Sequence, residues 1–205
     1  MIEKDLLSQL YNVEKLSQQD IANRLHVNVK QVVYWMEKYG ISRRNRSDAT
    51  YWKRNFKGEP FQIKKILSSD ERELFGLGIG LYWGEGTKSN KNSIRLGNTD
   101  PNLIKKFIKF LKIICGINTN KLKFGLQIFN DIKEEEALKF WMEQLSCGKD
   151  RFQKVIVSLP QGKGTYKKKS KYGVLTIYFH NKKLRDWLIS QINILRLDRS
   201  DILKN

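Results

Sequence analysis

Ser17 with Asp20 three residues later forms an N-terminal capping signature, and Ile21, Ala22 and Leu25 then recur at helical spacing. The pattern predicts a short amphipathic helix from Ser17 to about Leu25. His26 and Val27 follow as a turn, Asn28 is placed to cap a second helix, and Val32, Trp35 and Met36 give that helix an apolar face until Gly40 ends it. An earlier helix around Leu6, Leu7, Leu10 and Tyr11 would complete a three-helix core, with the small Ala22 at the close crossing.

Beyond residue 68 the rhythm alternates between strand and helix. A short strand is predicted over residues 93–98. Asp100 and Pro101 then open a helix with Leu103, Ile104, Phe107, Ile108 and Leu111 at apolar positions. Leu122, Phe124, Leu126 and Ile128 alternate with polar or small residues, as in a half-buried strand. A helix over 137–145, strands over 152–159 and 172–180, and a helix from Lys182 to about Leu195 complete the order. It suggests two degenerate helix-strand-strand-helix units and an α+β class.

Between these halves, from Ser42 to Lys65, no apolar periodicity persists. Gly58 and Pro60 punctuate the run, and basic residues outnumber acidic ones. Residues 46–68 are expected to be a basic linker between a domain at 1–45 and a domain at 69–205, with Tyr51, Trp52, Phe56 and Phe61 able to dock it.

Charge narrows the partner. Lys and Arg number 39 against 21 Asp and Glu in 205 residues, a formal charge of +18. Both halves are basic, which points to nucleic acid, double-stranded DNA first and structured RNA after it. Cys115 and Cys147, His26 and His180 are too few and scattered for a disulfide framework, a zinc finger or a His-based nuclease, and imply a reducing, cytoplasmic setting. The longest uncharged apolar run, residues 74–83, is half of the ~20 residues that span a bilayer, and no apolar leader follows Met1, so no membrane partner is expected.

The string "LSQQDIANRLHVNVKQVVYWMEKYGIS" resembles the helix-turn-helix of resolvases and sigma-like regulators, with His26 where that motif usually carries Gly. Opposite the expected core, the second helix presents Asn28, Lys30, Gln31 and Tyr34, with Lys38 one turn on. These side chains have the chemistry to reach base edges or phosphates in a major groove. Arg43, Arg44 and Arg46 follow as candidate phosphate contacts, and Lys167, Lys168 and Lys169 form a lysine-rich loop that would add salt-dependent affinity. The bland alternatives are a solvated helix face and solvated loops.

Gly76, Gly80 and Gly84 recur every four residues, on one helix face, and Glu85 follows directly. Such a stripe permits close approach of another helix, at a cost in helix propensity of about 1 kcal/mol per glycine. It lacks the spacing and the GK[ST] ending of nucleotide loops. "GIGLYWGEG" at residues 78–86 resembles the nine-residue motif of the LAGLIDADG homing endonucleases, and "NTDPNLIKKFIKFL" resembles the strand end and helix that follow it. The resemblance implies an antiparallel saddle-shaped sheet in the DNA groove, and two motif helices packed along their small residues. The acid ending each helix would hold a divalent metal, Mg2+, at the scissile phosphate. Glu85 matches that acid, with Glu for the more usual Asp, and Trp83 stands at an earlier, variable acid position. On this reading Glu85 is the metal ligand and Glu85, Lys88 and Lys123 are catalytic candidates, while Lys123 and Arg95 contact DNA.

Hydrolysis through such a site needs a carboxylate from each helix end. One chain supplies one. Either a homodimer brings two Glu85 residues together across the Gly76, Gly80 and Gly84 face, or the chain is a pseudo-symmetric, non-catalytic DNA-binding regulator, with Glu143 a weak substitute for the second acid.

Overall fold

The capping signals of the sequence start helices in the computed structural model, which describes residues 1–55, 58–159 and 170–202. The fold is mixed α+β, several helices with one small open sheet, and it divides into two compact units, Met1–Pro60 and Phe61–Asn205.

In the first unit, α1 (Lys4–Ser8) runs into a π-helical turn, Gln9–Val13, and is followed by α2 (Gln18–Arg24), α3 (Val29–Lys38) and α4 (Arg46–Arg54). Ser17 and Asp20 form a reciprocal capping box at the start of α2. Asn28 caps α3 by accepting from the Lys30 amide at 2.8 Å. Between the two helices His26 takes φ 54°, the left-handed turn conformation where glycine would be unstrained. At the far end of α3, Gly40 has φ 67°; its amide donates to the Glu37 carbonyl and that of Ile41 to Met36, which closes the helix in a Schellman motif. Leu7, Leu10, Tyr11, Ile21, Ala22, Val32 and Met36 are buried together, as the apolar spacing requires.

The second unit runs α5 (Ser69–Glu85), β1 (Ile94–Asn98), α6 (Pro101–Ile113), β2 (Lys123–Phe129), α7 (Glu134–Leu145), β3 (Ile156–Ser158), β4 (Val174–Phe179) and α8 (Lys182–Ile202). The sheet order is β1-β4-β2-β3. Period-two alternation gives the sheet two unlike faces. Ile94, Leu96, Phe124, Leu126, Ile128, Leu175, Ile177 and Phe179 point inward to a core shared with Phe107, Phe110, Trp141, Leu184 and Leu188. On the outer face Lys123 and Gln127 are exposed, and Arg95, Thr176 and Tyr178 are half-buried.

Three expectations are corrected. The second unit does not run as two helix-strand-strand-helix units: among the described residues only α7-β3-β4-α8 has that order, while a single strand separates α5 from α6 and α6 from α7, and β4 lies between β1 and β2 in the sheet. The sheet is not wholly antiparallel: β3 pairs parallel to β2, which the helical crossover through α7 makes possible. Nor are residues 46–68 a bare linker. Asn45 caps α4 by accepting from the Asp48 amide at 2.8 Å, and Phe61, Ile63 and Leu67 pack on the core of the second unit. Their backbone is tied down as well, since the Gln62 amide donates to Cys115 and the Lys64 amide to Ile114. Phe61 is one of the aromatics expected to dock this segment, whereas the charge-rich composition hid Ile63 and Leu67.

Candidate nucleic-acid interface

The site is built where α5 ends and the sheet begins. Ser68 and Glu71 form the capping box that starts α5. Its glycines divide in a way that their four-residue spacing hides. A Cβ on Gly78 would lie 2.1 Å from the Phe110 ring, so Gly78, off the stripe, is where α6 packs closest on α5. Among the described residues nothing lies within 4 Å of such an atom on Gly76, Gly80 or Gly84, so the stripe meets none of the described helices. Leu77, on the same side of α5, is 44% exposed.

Glu85 is the last residue of α5 and is exposed. Gly86 is buried beside the Tyr82 ring, where any Cβ would collide, and pairs with Leu96. The Thr87 amide then donates to the Arg95 carbonyl at 2.9 Å. This pairing fixes the acid-bearing helix end two residues from a backbone contact with Arg95. Lys88 turns back, and its Nζ donates to the Trp83 carbonyl, supplying a positive group at the negative end of α5. The Lys88 carbonyl accepts in turn from Arg185 of α8, whose other terminal nitrogen donates to Asp186 at 3.0 Å. Burial pushes the Tyr82 hydroxyl's pKa up, and the neighbouring Arg185 opposes that shift.

Arg95 has a prepared geometry. Its Nε donates to Ser93 Oγ at 3.0 Å, and Ser93, 1% exposed, donates to Asn90 Oδ1 at 2.9 Å. The Tyr178 ring centroid lies 5.3 Å from the guanidinium carbon. The terminal nitrogens of Arg95 have no protein partner among the described residues, and they form the edge through which a guanidinium is able to pair with a planar acceptor such as a carboxylate, a phosphate or guanine. In register, Tyr178 stands opposite Arg95 on one side and Lys123 on the other, which makes a cation-aromatic-cation row across the outer face. Lys123 Nζ donates to the Asp150 carbonyl at 3.1 Å.

In the first unit, Lys30, Gln31, Tyr34 and Lys38 form an exposed face of α3, and the Asn28 side-chain oxygen is used in capping. Arg43 pairs with Glu37 at 3.1 Å. Arg46 is exposed in the first turn of α4. Arg44 departs from its expected place at the phosphates. Its guanidinium donates to the carbonyls of Lys15 at 2.8 Å and Tyr11 at 3.0 Å and also to Leu16, and lies over the Tyr11 ring. It serves the end of the π-helical turn, which leaves carbonyls without helical partners. Lys167, Lys168 and Lys169 lie outside the described residues.

No group of three or more His, Cys, Asp or Glu among the described residues could hold a metal ion. Glu85 therefore fits Mg2+ only as one ligand of a set that DNA phosphates and a second carboxylate would complete. Glu143, the substitute second acid, stands on α7, which packs mainly on α6 and β2, whereas α5 packs mainly on α6, α8 and β1. Burial pushes the thiols of Cys115 and Cys147 up, which disfavours their thiolate forms. Among the described residues no helix is long and apolar enough to cross a membrane.

Ser93, Asn90 and Tyr178, which orient Arg95, escaped the sequence reading. Their one signal was the "NKNS" turn before the strand, where an Asn can bind backbone amides ahead of it. No family model, curated protein or solved structure matches the chain.

Proposed function

We propose that the chain is a site-specific double-stranded DNA-binding protein of homing-endonuclease type. The first unit reads DNA as a helix-turn-helix, and the second lays the outer face of a LAGLIDADG-like sheet against the duplex. The observation that carries this reading is the held Arg95 fork, its terminal edge unpartnered among the described residues, on a cationic sheet face whose backbone is paired to the segment following Glu85. The exposed Lys30, Gln31, Tyr34 and Lys38 of α3 support the same partner.

Metal-dependent strand cleavage is the enzymatic part of the proposal. An acid at a helix C-terminus is unfavourable by roughly 0.3–1 kcal/mol, because it adds negative charge to the negative end of the dipole. Glu85 stands at such an end, a placement that suits a residue whose partner is a cation. Two copies associating through Gly76, Leu77, Gly80 and Gly84 would bring two such carboxylates together. Mg2+ held there would activate water and stabilise the leaving oxygen.

A second reading, a non-catalytic regulator that keeps the sheet as a binding surface, is favoured because no group of three or more His, Cys, Asp or Glu among the described residues could hold a metal ion. Selection from a randomised duplex library with the full chain, in Mg2+ and in chelator, tests both. Recovery of a common sequence is expected in both conditions, with cut ends only in Mg2+. Retention without sequence preference would sink the site-specific reading, and specific retention that never yields cut ends would leave the regulator.

A further inference from the structure

α6 carries a second basic face that the site above does not use. Lys105, Lys106, Lys109 and Lys112 are all exposed, and the helix contains no acidic residue. At about 100° per residue they fall within one stripe of roughly 120°. Among the described residues none of the four forms an ion pair; Lys105 donates to the neutral Gln144 side chain at 2.6 Å. Backbone pairing of residues 62–64 with Ile114 and Cys115 adds the exposed Lys65 at the C-terminal end of the same helix.

The orientation of this stripe is fixed by burial. Ile104, Phe107, Phe110 and Leu111 of α6 are fully buried in the core that also takes the inward side chains of the sheet. The lysines therefore point away from the sheet, while Arg95 and Lys123 lie on the sheet's far side. A helix layer about 10 Å across on a sheet about 10 Å away puts the two cationic faces roughly 20 Å apart. A straight duplex lying on one cannot touch the other.

We propose that the α6 face binds a second segment of double-stranded DNA, so that one chain bridges two duplexes. The inference rests on the reading that the outer sheet face takes the first. The composition of the stripe selects its ligand: lysines act as point charges for phosphates, and the exposed α6 side chains include no aromatic or arginine on which an unpaired base could stack. Recognition there is of backbone charge and independent of sequence.

The test uses the full chain, a bead-bound duplex and a fluorescent duplex of the same sequence at about 100 mM salt. Wild type is expected to hold the fluorescent duplex on the beads. The variant K105E/K106E/K109E/K112E, altered only at exposed positions, should lose at least about tenfold of that capture and flatten its log-log salt slope by about three to four, while affinity for a single duplex stays within about twofold. The Lys→Gln set at these positions should fall between. Equal bridging by the variant, or no bridging by wild type that binds single duplexes, overturns the inference alone. Parallel loss of single-duplex affinity in the variant also overturns it, because the stripe would then belong to the first interface. Unchanged duplex bridging with lost capture of single-stranded RNA would assign the face to RNA instead. Wild type that fails to bind any single duplex defeats the earlier reading as well.

Discussion

The buried hydroxyl of Ser93 holds the Nε of Arg95 at 3.0 Å, which leaves the terminal edge of the guanidinium to point from the outer face of the sheet. A fork fixed at one edge loses little freedom when the other binds. If that edge reads guanine, Arg95→Lys should cost the roughly 1–3 kcal/mol of discrimination that one bidentate pair supplies, although the charge is kept. Ser93→Ala should weaken the same discrimination by about 1 kcal/mol and leave affinity for random DNA and its salt slope unchanged. Competition binding with base-substituted duplexes measures both. Equal losses on every sequence would reduce Arg95 to a phosphate contact.

Gly78 and Gly80, two residues apart, should respond to alanine in opposite directions. A Cβ at Gly78 enters the Phe110 ring and must displace it, so Gly78→Ala should destabilise the second unit by about 1–3 kcal/mol. The same atom at Gly80 meets nothing among the described residues, and helix propensity alone predicts a gain of about 1 kcal/mol in the monomer. Chemical unfolding distinguishes the two. Gly80→Leu, read by sedimentation, should shift a homodimer toward monomer if the stripe is its interface, and leave the mass unchanged if it is not.

Arg44 tests the distinction between a structural and a DNA-binding arginine. Its bonds to the carbonyls of Tyr11, Lys15 and Leu16 are charge-assisted, and removing them exposes half-buried backbone without partners. Arg44→Ala should destabilise the first unit by about 2–3 kcal/mol. Arg43→Ala, at an exposed pair with Glu37, should stay within about 1 kcal/mol. Urea unfolding followed by tryptophan fluorescence gives the comparison, and equal effects would show that the Arg44 contacts carry no net stability.

Local signals were legible in the sequence, and the relations that make the site were not. Ser17 with Asp20, the turn at His26 and the caps at Asn28 and Asp100 are decided by residues within three or four positions, so composition and spacing reveal them. The parallel pairing of β3 with β2 and the insertion of β4 between β1 and β2 depend on long-range pairing, to which a period-two pattern is blind. Arg44 and Arg95 look alike in sequence. Only packing assigns one to three carbonyls and the other to a hydroxyl that leaves its terminal edge open. The glycine stripe was visible, but the α5 glycine that packs on α6, Gly78, lies off it.

A pH dependence follows from the capping box of α5. The Lys64 ammonium, and after it the Ser68 amide, hold the Glu71 carboxyl below its ordinary range. Its folded pKa is thus lower than its unfolded one. The stability it contributes is present above the unfolded pKa and is lost as pH falls through the depressed folded value. Melting temperatures measured downward from pH 6 should therefore drop less steeply for Glu71→Gln than for wild type once the ordinary carboxylate range is passed. Parallel curves would remove Glu71 from the acid response.

Glu85 gives the decisive test of cleavage, because it ends α5 exposed, with an acidic group where the helix dipole already concentrates negative charge. Replacing it with Gln keeps size and polarity but removes the charge that a hard cation requires. Stability should stay the same or rise by a few tenths of a kcal/mol, since dipole repulsion is relieved. DNA affinity in chelator should be unchanged or slightly higher, because a carboxylate beside phosphate is gone. Cleavage in Mg2+ should fall by at least about a hundredfold if the carboxylate holds the metal that activates water. A mixture of wild-type and Glu85→Gln chains adds a further discrimination. If two copies share the site, mixed dimers carry one carboxylate between them, and activity should fall faster than the fraction of wild-type chain. Activity in strict proportion to that fraction would mean that each chain cuts alone, and cleavage that survives in pure Glu85→Gln would move the active site away from the end of α5.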